Sequence, residues 1–210
     1  MLTIAEEFML MALDSRTGDF RGIQTEYLHA GLVGASVMEL ALRGRIDSDV
    51  DRAWVVDAEP TGDASLDPVL AAMSKPGFPP QLERVIEQLM PLGEAVNEQI
   101  LSRLCARGVL GRIEGRSVLF KKVTRYEVLD DRALTESRAR LERLLRSGEL
   151  PDPREVCLIT LARTCGLLER ILPASAVQPA LDLLSKVSGM DLIGQNVRRY
   201  LYLFERDMAG

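Results

Sequence analysis

Histidine is almost absent from this chain of 210 residues, with His29 the single example. A lone imidazole, with no second His, Cys or carboxylate at ligand spacing, argues for packing rather than for a metal or a base. Cysteine is scarce as well. Cys105, Cys157 and Cys165 are odd in number, and each sits in apolar, helix-patterned sequence. No CxxC pair exists, so a disulfide framework and a zinc site give way to buried, reduced thiols. Aromatics make up only 5% of the chain, which leaves mostly Leu and Ala to fill a core. No apolar run reaches the roughly 18 residues of a membrane span. The start, Met1-Leu2-Thr3-Ile4-Ala5-Glu6-Glu7, lacks the basic opening of a signal peptide. A cytoplasmic location is the expectation, peripheral on a membrane where something recruits the chain.

The common catalytic signatures are missing too. There is no GxxxxGK[ST] loop, no GxGxxG after a strand, no HExxH and no GxSxG. Glu6-Glu7 and Asp130-Asp131 pair carboxylates, but helix neighbours diverge by about 100° and do not converge on one substrate atom. Pro60-Thr61-Gly62-Asp63 reads as a β-turn before a helix rather than a phosphate cradle. No catalytic residue, metal or cofactor is assigned, and the chain reads as a non-enzyme.

What is present is an ordinary globular balance, 47% hydrophobic and 27% charged, of a size for one domain over residues 1–210. The organising stretch runs from Gly31 to Ile46. Between Tyr27 and Leu42 its only charged side chain is Glu39. A helix apolar nearly all round has to be buried by other helices on most sides. Arg43 then places a cation at its last turn, and Gly44 falls where a left-handed cap belongs. The fold class is therefore mainly α, built around a buried central helix.

In chain order, Thr3 and Glu6 form a capping box opening a helix to Leu13. The central helix begins near Thr25. Ile46 and Ala53 to Val56 suit short strands, and Ser65 suits the cap of a helix from Leu66 to Met73. Leu82, Val85, Ile86 and Leu89 share one helical face, and Val96, Ile100, Leu101 and Leu104 share another between Gly93 and Arg107. Gly108 caps that helix. A hairpin follows at about 109–121, with Glu114-Gly115-Arg116 as its tip and Ser117 to Lys121 as its second strand. Helices are expected over Leu134–Leu145, Val156–Leu172, Ala176–Val187 and Leu192–Glu205.

The net charge of -5 disfavours a general nucleic-acid binder. The charge is uneven: from Arg103 to Arg146 twelve cations face six carboxylates, so the remainder is strongly acidic. Arg103, Arg107, Arg112, Arg116, Lys121, Lys122 and Arg125 flank the hairpin, while Ile113, Val118, Leu119 and Phe120 give it an apolar side. Such a hairpin suits contact with an anionic membrane, or docking on another copy, through Arg112, Ile113, Arg116, Val118, Leu119, Phe120 and Lys121. A helix followed by a hairpin also has the outline of a winged helix for DNA. Glu94 and Glu98, at the end that would meet phosphates, oppose it.

Four segments occur here in a fixed order. They are Leu2-Thr3-Ile4-Ala5-Glu6-Glu7; Gly31-Leu32 with Glu39-Leu40-Ala41-Leu42-Arg43-Gly44-Arg45; Pro60-Thr61-Gly62-Asp63 with Leu66-Asp67; and Gly108-Val109-Leu110 leading to Phe120. Together they resemble the Golgi phosphoprotein 3 family over nearly the whole chain. The resemblance implies a non-enzymatic peripheral adaptor that binds phosphatidylinositol 4-phosphate and the cytoplasmic tails of membrane proteins, with a protruding hairpin that serves membrane contact and homo-oligomerisation. A Golgi location follows only for a eukaryotic source. With 22 Arg against 4 Lys, the composition points instead to a GC-rich genome and one of the family's bacterial members. In eukaryotic members a tryptophan and three arginines hold the headgroup. Aligned without gaps, these positions fall at Gln24, Val33, Glu94 and Asn97, none of which matches. Arg21, Arg43 and Arg45 are the candidate replacement cations. A soluble interaction scaffold that has lost lipid binding is the alternative.

Overall fold

A computed structural model describes residues 1–14, 17–20, 22–116 and 122–209, with the backbone alone at residues 116, 122 and 123. The first helix, α1 (Ile4–Ala12), opens with the capping box read from the sequence. Thr3 Oγ1 accepts from the Glu6 N–H at 3.2 Å, and the Glu6 carboxylate accepts from the Thr3 N–H at 2.7 Å. All of α1 is buried. The central helix, α2 (Thr25–Leu42), packs against α1 and is buried continuously from Ala30 to Leu40. It ends in a Schellman-type cap, with Gly44 at φ +66° and the Arg45 N–H on the Leu40 carbonyl at 2.9 Å.

Two short antiparallel strands follow, β1 (Ile46–Ser48) and β2 (Ala53–Val55), with Ile46 opposite Val55. In α3 (Asp67–Met73) the sequence-based cap is corrected. Ser65 does not cap the helix. Asp63 Oδ1 instead accepts from both the backbone N–H and the hydroxyl of Ser65, at 3.0 and 2.7 Å, and holds the turn. Next come α4 (Leu82–Leu89) and, after a 3₁₀ turn at Met90–Leu92, α5 (Gly93–Ala106). Their buried residues are the ones the 3.6-residue period selects.

The hairpin reaches further than its sequence suggests. Strand β3 (Leu110–Arg116) pairs with β4 (Lys122–Val128), so Glu114, Gly115 and Arg116 belong to the ladder rather than to a tip. The reason lies beyond Lys121. Val123, Thr124, Tyr126 and Val128 are strand formers, and Tyr126 and Val128 alternate inward with exposed Arg125 and Glu127. Ser117 to Lys121, taken from sequence as the second strand, lie outside the described residues.

The remainder is helical: α6 (Arg132–Ser147), α7 (Pro153–Thr164), α8 (Leu168–Ile171), α9 (Ala174–Val177), α10 (Leu181–Met190) and α11 (Leu192–Ala209). Two expected helices are divided. The stretch Val156–Leu172 breaks after Thr164, where Gly166 adopts φ +66° and the Leu167 N–H returns to the Ala162 carbonyl at 2.7 Å. The stretch Ala176–Val187 is interrupted by a 3₁₀ turn at Gln178–Ala180 that accommodates Pro179, which has no N–H to give. The chain is mainly α, with α1, α5, α7 and α11 packed round α2. All three cysteines are free, and burial pushes the Cys157 and Cys165 thiols up to about 12.

Candidate functional site

The hairpin is fixed at its base and tethered again along β4, while its outer described residues stand in solvent. Gly108, at φ +69°, turns the chain out of α5. The Leu129 N–H then binds the Val109 carbonyl at 2.9 Å, which closes the base where Leu110 is buried. A second tether comes from the α1–α2 connection, where the Tyr126 N–H reaches the Gly18 carbonyl at 3.1 Å. Gly18 has φ +72°, and a Cβ there would lie 2.9 Å from the Tyr126 carbonyl oxygen, so no other residue fits. Further out, Ile113 is 48% exposed. Arg112 pairs with Glu114 at 3.5 Å and Arg125 with Asp19 at 3.5 Å, all four side chains being largely in solvent. The backbone of Arg116 stands opposite Lys122 at the far end. Val118, Leu119, Phe120 and Lys121 lie outside the described residues.

The positions aligned with the headgroup site lie on α2 and α5, which the structure packs side by side. A Cβ on Gly93 would meet His29 Cβ at 2.7 Å, so the first turns of the two helices touch. Gln24 is the exposed N-cap of α2 and makes no capping bond. Glu94 is exposed in the first turn of α5, and Asn97, one turn on, is half-buried with Oδ1 buried and unbonded. Val33 is fully buried and points into the core. The first turn of α2 is also clamped to α11: the Tyr27 hydroxyl donates to Glu205 and the Tyr200 hydroxyl to Glu26. Burial, and then the Glu205 carboxylate, push the Tyr27 hydroxyl up to about 12.

Of the replacement cations, Arg43 lies 3.0 Å from Glu39 and 3.9 Å from Asp63. Arg45 is paired with Asp57. Both guanidinium groups are thus already engaged, and Arg21 lies outside the described residues. The described candidates therefore lie in separate places: Arg112 and Ile113 on the hairpin, Gln24, Glu94 and Asn97 around the starts of α2 and α5, Val33 in the core, and Arg43 and Arg45 at the far end of α2.

Residues 4–201 match the protein family described as Golgi phosphoprotein 3 (GPP34). The chain belongs to the Golgi phosphoprotein 3 family. It is 26% identical over 174 residues to a VPS74-like protein of Dictyostelium discoideum, an alignment that takes in 75% of this chain. The chain spans 65% of that relative's length.

Sequence reasoning missed the most conspicuous charged cluster of this family member. Glu6, Glu7, Glu39 and Asp63 are buried, and a shell of arginines encloses them. Arg103 of α5 and Arg107, its C-cap, reach Glu6 at 3.3 and 3.1 Å, and Arg103 also binds Asp63. Arg140 of α6 reaches Glu7 at 2.8 Å, and Arg154 of α7 holds Glu7 and Glu39 at 2.9 and 3.2 Å. Burial alone would raise the Asp63 carboxyl, but hydrogen bonds from Arg103 and Ser65 outweigh it and hold the group below the ordinary range. Arg103 and Arg107, read from sequence as part of a basic surface, are therefore structural. One signal for the cluster was visible: Glu39 is an isolated charge in an otherwise apolar helix, and a buried carboxylate needs a cation.

Among the described residues no helix is long and apolar enough to cross a membrane, and no group of three or more His, Cys, Asp or Glu is placed to hold a metal ion.

Proposed function

We propose that this Golgi phosphoprotein 3 family member is a non-enzymatic peripheral adaptor that meets anionic phospholipid through its β3–β4 hairpin. The observation that carries the reading is the outer hairpin itself. Ile113 stands exposed between Arg112 and Glu114, and from Leu110 to Val128 the sequence holds five cations against two carboxylates. A cation held near an anionic leaflet contributes about 1 kcal/mol. The Arg112–Glu114 and Arg125–Asp19 pairs are solvent-exposed and weak, and lipid phosphates compete with them readily.

Selective recognition of phosphatidylinositol 4-phosphate has less support. Gln24, Val33, Glu94 and Asn97 supply no cation, and Glu94 adds a negative charge. The lipid reading is therefore one of general charge with a shallow apolar anchor. Client tails of membrane proteins and self-association through the same hairpin complete the adaptor, which works on the cytoplasmic face of its membrane.

Flotation with vesicles tests this. Binding to phosphatidylglycerol or cardiolipin vesicles is expected, with little to neutral phosphatidylcholine and marked loss as salt rises. Phosphatidylinositol 4-phosphate at matched surface charge should do no better. Arg112→Glu with Arg125→Glu should abolish flotation while leaving the circular dichroism melt unchanged. Flotation with no anionic vesicle would sink the proposal and leave a soluble scaffold. Flotation with the phosphoinositide alone would overturn the charge-based reading. A gel shift with random duplex DNA at low salt is expected to show no complex.

A further inference from the structure

Away from the hairpin, an apolar groove of about 520 Å³ opens where the end of α2, the start of α7 and the α10–α11 junction meet. Met190, Asp191, Leu192 and Ile193, the junction itself, form one wall of it. The break between the two helices is a single residue. Asp191 is extended, at φ -102° and ψ 97°, and only 8% exposed.

Its carboxyl is held on one side only. Oδ1 accepts from the Gly194 N–H at 2.9 Å, as an N-cap of α11. Oδ2 is buried without a hydrogen-bond partner, and so is Thr160 Oγ1 on α7. A Cβ on Gly194 would lie 2.3 Å from Thr160 Cγ2 and 2.6 Å from Asp191 Oδ2, so glycine at this position brings the junction hard against α7. A carboxyl placed in this way is favoured neutral and costly charged.

The charges nearby do not relieve it. Among the described residues that line the groove, Asp191 is the one that carries a charge, and no cation pairs with it. On α7 the Cys157 thiol is its titratable neighbour, and burial pushes that thiol up to about 12, so it stays neutral. Arg154, also on α7, is taken by Glu7 and by Glu39 of α2. On α10, Ser188 keeps a buried hydroxyl without a partner, while Asp182 and Lys186 stand in solvent. The first turns of α11 offer the neutral Gln195 and Asn196, and β1 and the α6–α7 connection line the groove with Ser48, Leu150 and Pro151. Burial therefore governs. It lifts the carboxyl to about 6 against hydrogen bonds from Gly194, Ile193 and Thr160.

The junction also has a place to bend. Gly189, in the last turn of α10, is exposed, and a Cβ there would meet nothing within 4 Å. Its missing side chain serves no close approach, unlike that of Gly194, and a glycine weakens a helix relative to alanine. The Gln195 side chain holds its carbonyl at 3.1 Å, one bond across the junction.

We propose that the α10–α11 junction is a pH-sensitive latch on the wall of this groove. With Asp191 neutral the junction lies against α7. With Asp191 ionised it swings about Gly189, hydrates the carboxylate and widens the groove. The latch is separate from the hairpin and does not depend on membrane contact there.

Hydrogen–deuterium exchange of the full-length protein tests this, read by mass spectrometry and corrected for intrinsic exchange at each pH. The amides to follow are those of Ile193, Gly194 and Gln195, which Asp191 holds through its carboxyl and its carbonyl. With an ordinary carboxyl in the open state, their opening should rise about tenfold from pH 5 to pH 7.5. Asp191→Asn, which keeps the cap, should remove the rise. Gly189→Ala should lower opening about fivefold at both pH values, the factor that the helical preference for alanine implies. Peptides from α4 and α5 should show no rise. Wild-type opening that is constant with pH would overturn the proposal, as would an equal rise in Asp191→Asn, which would put the titrating group elsewhere. A rise shared by α4 and α5 would overturn it too, because the whole fold would then be loosening. Unchanged opening in Gly189→Ala would remove the hinge, and the swing with it.

Discussion

Arg154, at the start of α7, places Nη1 3.2 Å from Oε2 of Glu39, the lone charge in the apolar run of α2. The same guanidinium reaches Glu7 in α1 at 2.9 Å and donates to the Leu2 carbonyl. Glu39 in turn accepts from the Ile4 N–H at 2.9 Å, so one carboxylate caps α1 from across the core. Three helices from distant parts of the chain are therefore joined through two side chains.

Removing that cation leaves two buried carboxylates with less compensation. Arg154→Met should lower unfolding stability by roughly 2–4 kcal/mol, allowing for the partial exposure of the guanidinium. Urea denaturation checks the value. Adding Glu39→Gln should recover part of the loss, since the amide still accepts from Ile4 while a buried charge left with Arg43 alone is gone. A double variant no more stable than Arg154→Met would show that Glu39 does not depend on Arg154.

Asp191 gives a pH signature. Burial lifts its carboxyl to about 6 from an ordinary 3.8, against the opposing hydrogen bonds from Gly194 and Ile193. A raised carboxyl binds its proton more tightly in the folded state. Its contribution to stability is complete below about pH 4 and is lost as pH rises through about 6. Asp191→Asn keeps an acceptor for the Gly194 N–H and removes the titration. Relative to wild type, the variant should gain roughly 1–3 kcal/mol at pH 8 and little at pH 4. A difference between the two proteins that stays constant across this range would contradict the assignment.

Gly31 in α2 lies against the Phe8 ring of α1. A Cβ there would sit 2.3 Å from Phe8 Cζ and 3.1 Å from Cys165 Sγ. Helix propensity alone favours Ala over Gly by about 1 kcal/mol. Overpacking should reverse that sign, so Gly31→Ala is expected to destabilise by about 1–3 kcal/mol in chemical denaturation. Phe8→Leu added to Gly31→Ala should relieve the clash, giving a double variant more stable than additivity allows. A single variant that gains stability would refute the close approach.

Much of this fold is legible because it is governed by neighbours in sequence. The Thr3–Glu6 capping box, the faces of α4 and α5, and the cap at Gly44 follow from spacings of a few residues. The hairpin shows the limit. Glu114-Gly115-Arg116 has the composition of a turn, but pairing with Val123 and Thr124 draws it into the ladder, and only the partner strand decides that. The division at Gly166 is similar: a glycine within an apolar run serves either as a packing notch, like Gly31, or as a stop, and the surroundings choose.

The charged residues were the least legible. Arg107 and Glu6 are 101 positions apart, and nothing local in either segment announces the other. Arg103, Arg107, Arg112 and Arg125 look alike along the chain, yet the first two lie against buried carboxylates and the last two stand in solvent.

By itself, the sequence determined the family, the mainly helical class and the buried path of α2, because each rests on residue type, short-range periodicity or an ordered set of motifs. Tertiary structure alone decided which cations are free. A charge acts at long range only when no opposite charge meets it at close range, and that meeting depends on how α1, α2, α5 and α7 pack. The same packing sealed Val33 in the core and left Ile113 in solvent.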